Sequence, residues 1–312
     1  MAVYTLIDKK DIEHLFHEIG EITDLIGITE GVENTNYLIK VNNNKKFIFT
    51  IFEKRTKASD LPFFHEAMNE FKNNGINCPI AIDIKEQNIF NIKDKPCAIY
   101  SFIEGSQIKS INEKNLNSLA SFLSNIHKVG VKSKLKRENN MLKPSWNYII
   151  KKFDDYKGSH INELKEIKSE ILNLEDKFPS NMRQALIHAD LFKDNIFFKN
   201  DEVCGLIDFF FTCSDSIVYD LATFINAWFF ENNNFDENNF RLFMVSYLRQ
   251  MEWEDEEKKY LNFYLKASAI RFFLTRLHDK YYNNYGDVIH KNPIEFFEII
   301  NFHKKNNLQD FI

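Results

Sequence analysis

Apolar residues recur at helical spacing in several stretches of the chain. Behind Asp8, residues Ile12, Leu15, Phe16 and Ile19 share one face, which predicts a short helix with Asp8 as its cap. Phe64, Met68 and Phe71 form a stripe that follows Asp60 as N-cap and Pro62 in the first turn, and Gly75 marks its end. Leu116, Leu119, Leu123 and Ile126 predict a third helix, with Gly130 as its stop. Ile161, Leu164, Ile167, Ile171 and Leu174 form another stripe, and Phe240, Phe243, Met244, Tyr247 and Leu248 a further one. A long helix is expected from about Asp255 to His278.

Strand signals lie mostly in the first third. Asn36 to Val41 and Lys46 to Phe52 flank the polar turn Asn42-Asn43-Asn44-Lys45, which predicts a hairpin. Shorter strands are expected at Ile80 to Ile84 and Cys97 to Ile103. From Asn112 onward the pattern is helical, except for Ala185 to Phe211, where short apolar runs alternate with polar turns. The expected architecture is α+β and bilobal. Residues 1–103 form a small N-terminal β-sheet lobe with a helix, and 104–312 a larger, mainly helical C-terminal lobe.

Composition narrows the function. Lys+Arg number 40 against 45 Asp+Glu, so no basic excess points to nucleic acid or an anionic membrane. The four cysteines, Cys78, Cys97, Cys204 and Cys213, are irregularly spaced without a C-x-x-C, which argues against a zinc ribbon and for a reducing compartment. The apolar stretch from Ile217 to Phe230 is interrupted by Asp220 and Asn226, so no membrane span is expected. Met1 to Leu6 runs into Asp8-Lys9-Lys10-Asp11 with no secretory core. The expectation is a cytoplasmic protein.

The β island carries the chemistry. It reads as a loop from His188, a strand opened by Asn195, a polar turn at Lys199 to Glu202, and a second strand closed by Asp208. In an antiparallel hairpin Asn195 and Asp208 are neighbours, and their oxygens suit Mg²⁺. Asp190, five residues before Asn195, sits where a base for a substrate hydroxyl is needed.

His188-x-Asp190-x-x-x-x-Asn195 followed by Asp208 resembles the catalytic loop and metal-binding Asp of protein-kinase-like enzymes. Ala189 stands where protein kinases have Arg, and Phe209-Phe210 replaces Phe-Gly after Asp208. Those departures, with Tyr219-Asp220-Leu221-Ala222, are similar to the aminoglycoside-phosphotransferase-like small-molecule kinases. Glu30 to Tyr37, Glu53-Lys54-Arg55, His188 to Phe198, Gly205 to Asp220 and Asn226-Ala227-Trp228 together resemble the homoserine kinases of this superfamily. The resemblance implies a protein-kinase-like fold and transfer of phosphoryl from ATP, with Mg²⁺, to L-homoserine. Choline or ethanolamine kinase and aminoglycoside phosphotransferase are the alternatives within the class. A non-catalytic nucleotide-binding module is the alternative outside it.

The same resemblance assigns roles by position. Asp190 is the base, Asn195 and Asp208 hold the metal, and His188 and Asp220 support the loop. Gly31 and Asn36 stand at the phosphate loop, and Ser101 and Ile103 line the adenine slot. Thr50 falls where kinases have a lysine. The phosphate cation is then Lys54, with Arg55 as the alternative and Glu66 as the partner on the following helix. For the acceptor, Arg271 and Arg276 are candidates for the carboxylate, of which at most one faces the site. Asp215 is a candidate either for the ammonium or as cap of the helix at Ile217.

Overall fold

The structure is a computed structural model that describes residues 3–29, 33–53, 55–175, 177–282 and 291–311. It contains two compact units, the first running to Glu104 and the second beginning at Gly105.

In the first unit, α1 (Lys9–Phe16) starts at Asp8, whose carboxylate accepts from the amides of Lys10 and Asp11, while the Asp11 side chain accepts from the Asp8 amide. A sheet follows, built from β1 (Ile22–Ile28), β2 (Thr35–Val41), β3 (Lys46–Ile51), β4 (Phe90–Ile92) and β5 (Lys95–Ser101). The strand order is β1-β2-β3-β5-β4 and each neighbouring pair is antiparallel. Tyr37, Ile39 and Val41 share one face with Phe47, Phe49, Ile51, Cys97 and Ile99, and they pack against Ile12, Leu15 and Phe16 of α1. That contact is why α1 needs its apolar stripe. The other face carries Ile48, Thr50 and Tyr100. There α2 (Leu61–Asn73) reaches the sheet through His65, whose Nε2 lies 2.8 Å from the Tyr100 hydroxyl.

Two strands differ from the sequence expectation. β1 is an edge strand with Gly27 inside it and Ile26 exposed, so its alternation is weak. The neighbour of β5 at the other edge is β4, and Ile80 to Ile84 makes only isolated bridges. β4 turns into β5 through Lys93 and Asp94, both at positive φ (51° and 60°). This is a two-residue hairpin turn without the Asn-Gly signature.

The second unit holds α3 (Glu113–Lys132), α4 (Lys143–Lys152) and α5 (Ile161–Glu175), then β6 (Gln184–Ile187), β7 (Ile196–Lys199), β8 (Glu202–Leu206) and β9 (Cys213–Ser216). After these come α6 (Ile217–Trp228), α7 (Glu237–Leu248), α8 (Asp255–Tyr282) and α9 (Ile294–Lys305). β6 pairs with β9, and β7 with β8. No described helix is long and apolar enough to cross a membrane.

Gly130 does not end α3, which continues to Lys132. A Cβ at Gly130 would lie 2.0 Å from the carbonyl oxygen of Leu186. The glycine therefore serves the close approach of α3 to β6, and β6 delivers the loop at His188. Gly105 has a similar reason: a Cβ there would lie 2.6 Å from Cys204 Sγ, and the next residue, Ser106, pairs with Phe198 of β7. α4 was not expected, because only Trp146 and Ile149 of its residues are buried.

Candidate active site

β6 ends at Ile187, and the next four residues are gripped by side chains at almost every polar backbone group. Asp220, buried in the first turn of α6, accepts from the amide of His188 at 3.1 Å and from that of Ala189 at 2.7 Å. Arg271 of α8 donates to the Ala189 carbonyl, and Trp228 Nε1 of α6 donates to the Leu191 carbonyl at 3.0 Å. Ala189 itself sits at φ 65°, a left-handed conformation that disfavours a Cβ. Strain of this kind persists only where surrounding contacts enforce it, and here the peptide groups on both sides of the residue are held.

His188 is buried and neutral. Its Nε2 lies 3.0 Å from the Ile207 carbonyl and so carries the proton, while Nδ1 accepts from the Asp190 amide at 3.3 Å. Burial pushes its pKa down to about 4. Asp220 is backed in turn by His127 of α3, whose Nε2 lies 3.5 Å from Asp220 Oδ2 and whose Nδ1 is 2.6 Å from the Tyr247 hydroxyl.

The loop presents Asp190 with its side chain 16% exposed. Burial raises its pKa above the ordinary carboxylate value, while the Arg271 guanidinium opposes that rise. Asn195, directly before β7, donates Nδ2 to the Asp190 carbonyl at 2.8 Å and to Asp190 Oδ2 at 3.0 Å. The hairpin then brings the other end in: the Ile207 amide donates to the Asn195 carbonyl at 2.9 Å, and Asp208 follows at φ 67°. Asp190 and Asn195 are thus joined directly, and Asp208 is the residue after the one whose amide bonds Asn195.

This sequence matches the model of the phosphotransferase enzyme family over residues 24–252. The chain belongs to that family. A homoserine kinase of Sinorhizobium fredii is 34% identical to this phosphotransferase over 310 residues, covering 97% of this chain and 95% of the relative. One of Agrobacterium fabrum is 32% identical, covering 97% and 96%. Among solved structures, an amicoumacin kinase superposes with a TM-score of 0.73 at 14% identity, covering 97% of this chain and 94% of the other. A choline kinase from Cryptosporidium parvum superposes with a TM-score of 0.66 at 17% identity, covering 96% and 94%. The fold is protein-kinase-like, as the sequence resemblance implied.

The remaining candidate residues of this phosphotransferase are placed as follows. Gly31 and Lys54 lie outside the described residues. In the first unit Asn36 and Thr50 are cross-strand partners, and Thr50 Oγ1 donates to Asn36 Oδ1 at 2.8 Å. Arg55 forms an ion pair with Glu33. Glu66 is on the exposed face of α2, and His65 is the residue of that helix that meets the sheet. Ser101 Oγ accepts from the Ile80 amide at 3.0 Å, and Ile103 is buried.

In the second unit Asp215 accepts from the Ser216 amide and from Asn139 Nδ2, each at 2.7 Å. The cap of α6 is Ser216, which accepts from the Val218 amide, and not Asp215. Arg276 is tied by one guanidinium nitrogen to the Asn292 carbonyl at 2.9 Å and to Glu295 at 2.7 Å. Arg271 is the other of the two arginine candidates, of which at most one was expected to face the site. It is 1% exposed, and one of its guanidinium nitrogens donates to the Ala189 carbonyl and the Tyr219 hydroxyl. Trp228 stood in the sequence only as part of the Asn226-Ala227-Trp228 stretch, and His127 carried no signal, since an indole in an apolar helix and a lone histidine on a helix face both read as core.

Proposed function

We propose that this phosphotransferase transfers the γ-phosphoryl group of ATP to the hydroxyl of L-homoserine, giving O-phospho-L-homoserine and ADP. The observation that carries the chemistry is the bond from Asn195 Nδ2 to Asp190. It fixes the carboxylate and leaves the amide oxygen of Asn195 to face a cation together with Asp208. The choice of acceptor is supported by the homoserine kinases that match over nearly the full length.

The donor set fits Mg²⁺. Asn195 and Asp208 offer only oxygen, and both nitrogens of nearby His188 are already engaged. No group of three or more His, Cys, Asp or Glu among the described residues forms a metal cage. That suits an ion completed by phosphate oxygens and water. Bound there, Mg²⁺ would neutralise phosphate charge.

The chain's own residues do the rest. Asp190 orients the homoserine hydroxyl and takes its proton as the oxygen bonds to the γ-phosphorus. The bond from that phosphorus to the bridging oxygen breaks, and ADP leaves. The Asn36–Thr50 pair and the Ser101 to Gly105 segment are the proposed nucleotide contacts, with Lys54 or Arg55 as phosphate cation. Arg276, oriented by Glu295, is the proposed partner of the acceptor carboxylate, and Asp215 that of its ammonium.

The test is ADP release by the purified chain with MgATP and, separately, homoserine, choline, ethanolamine, serine and kanamycin. Homoserine alone is expected to drive turnover. A preference for choline or kanamycin would overturn the acceptor assignment.

A further inference from the structure

Arg271 is the most deeply buried cation in the described second unit. Taking a guanidinium out of water is costly unless its donors and its charge are matched. Its matches are specific. One terminal nitrogen donates to the Ala189 carbonyl and to the Tyr219 hydroxyl, the latter at 3.0 Å. The guanidinium Cζ lies 4.9 Å from the ring centre of Phe211 and 4.5 Å from that of Phe272, both within cation–π range. The buried Nε has no hydrogen-bond partner among the described residues.

The other terminal nitrogen lies 3.9 Å from Asp190 Oδ1. That is too long for a hydrogen bond and short enough for a strong field. Arginine–carboxylate pairs are frequently bidentate, with two parallel N–H···O bonds. Here the charge stands beside the carboxylate without occupying it. Asp190 keeps Oδ1 for a substrate, while Oδ2 takes Asn195. The same side chain fixes the carbonyl of Ala189, the residue at φ 65° whose amide Asp220 holds from the other side.

We propose that Arg271 is a positioning residue for phosphoryl transfer: it locks the strained Ala189–Asp190 peptide and holds a positive charge beside the Asp190 carboxylate. The proposal rests on Asp190 being the base. It places the cost of losing Arg271 on the chemical step and not on nucleotide binding.

The experiment compares Arg271→Lys, Arg271→Met and Tyr219→Phe with the parent protein, in steady-state kinetics over both ATP and homoserine, with melting curves as the control for folding. Arg271→Lys keeps the charge but cannot make both bonds and the ring contacts. It should lower kcat at least ~10-fold, the loss expected of a charge-assisted bond, with KM for ATP changed less than about 2-fold. Tyr219→Phe removes one partner of Arg271 without changing shape, and should lower kcat by a smaller factor with the same unchanged KM. It carries the test if both Arg271 variants fail to fold.

Arg271→Lys is also made in an Asp190→Asn background. A residue acting through Asp190 adds no further loss there, whereas a general structural defect lowers the residual rate by the same factor again. Parent-like kcat in Arg271→Lys or in Tyr219→Phe, a loss confined to KM for ATP, or equal losses in both backgrounds would each overturn the proposal. If instead Asp190→Asn alone keeps near-parent turnover, the reading of Asp190 as base fails first, and the two failures are told apart by that single variant.

Discussion

Asn195 turns the amide nitrogen of its side chain onto Asp190, reaching both the backbone carbonyl at 2.8 Å and the carboxylate at 3.0 Å. In the proposed mechanism this one side chain sets the orientation of the base and, through its oxygen, offers a ligand to a cation. Asn195→Ala should remove both functions. Turnover is expected to fall at least ~10- to 150-fold, the range for one lost charge-assisted bond, with weakened Mg²⁺ dependence. Titrating MgCl₂ in the ADP-release assay checks this. An unchanged Mg²⁺ requirement would mean that Asn195 is not a ligand.

Trp228 holds the loop from below through its bond to the Leu191 carbonyl. Trp228→Phe leaves that carbonyl without its donor and costs about 1–3 kcal/mol. The melting temperature should drop and kcat should drop with it, because the anchor is adjacent to Asp190. A variant with lower stability but parent-like kcat would show that the anchor supports the fold alone.

Gly130 gives a prediction whose sign is unusual. Glycine to alanine inside a helix ordinarily stabilises by up to about 1 kcal/mol. In α3 the new Cβ would fall 2.0 Å from the Leu186 carbonyl oxygen, so Gly130→Ala must push α3 away from β6. Chemical denaturation should show a destabilised protein, and activity should fall because β6 carries the loop. A stabilised variant would contradict the packing described here.

His188 makes stability depend on acid. Its ordinary pKa of 6.5 falls to about 4 in the folded protein through burial. Because the folded value is the lower one, the unfolded chain takes up the proton first as pH falls. The contribution, ~3 kcal/mol, is fully present above about pH 6.5 and is lost progressively towards about pH 4. His303, driven down to about 3 by burial, acts in the same direction. Urea midpoints measured from about pH 7.5 to 4.5 should fall more steeply for the parent than for His188→Gln. Parallel curves would mean that His188 is not the group responsible.

The parts of the site that were legible in the sequence are those where chemistry dictates residue type at fixed spacing. Asp190, Asn195 and Asp208 stood out because their spacing around one hairpin suits a base and two hard oxygen donors, the roles proposed for them. The hairpin of β2 and β3 and the stripes of α1 and α5 were readable because each buries one face, whereas α8 was readable by its length although Ala267 to Leu274 are buried all round. β1 was not, since an edge strand with Ile26 exposed shows little alternation. Gly130 was misread because a glycine serving close approach has the same letter as one ending a helix. Arg271 could not be told from Arg276 for a related reason. Sequence shows that a guanidinium is available on α8, but only the fold shows that its partners are the Ala189 carbonyl and the Tyr219 hydroxyl, and not a ligand from solvent.

The central claim is that Asp190 serves a hydroxyl of homoserine. It is tested most directly by the homoserine-dependent rate of ADP release in the parent and in Asp190→Asn, with melting curves to establish that both are folded. The account predicts a homoserine-dependent rate in the parent that falls by ~10²-fold or more in the variant, with ATP binding and melting temperature nearly unchanged. No homoserine-dependent ADP release by the folded parent, or turnover of Asp190→Asn within a few-fold of it, would contradict the account.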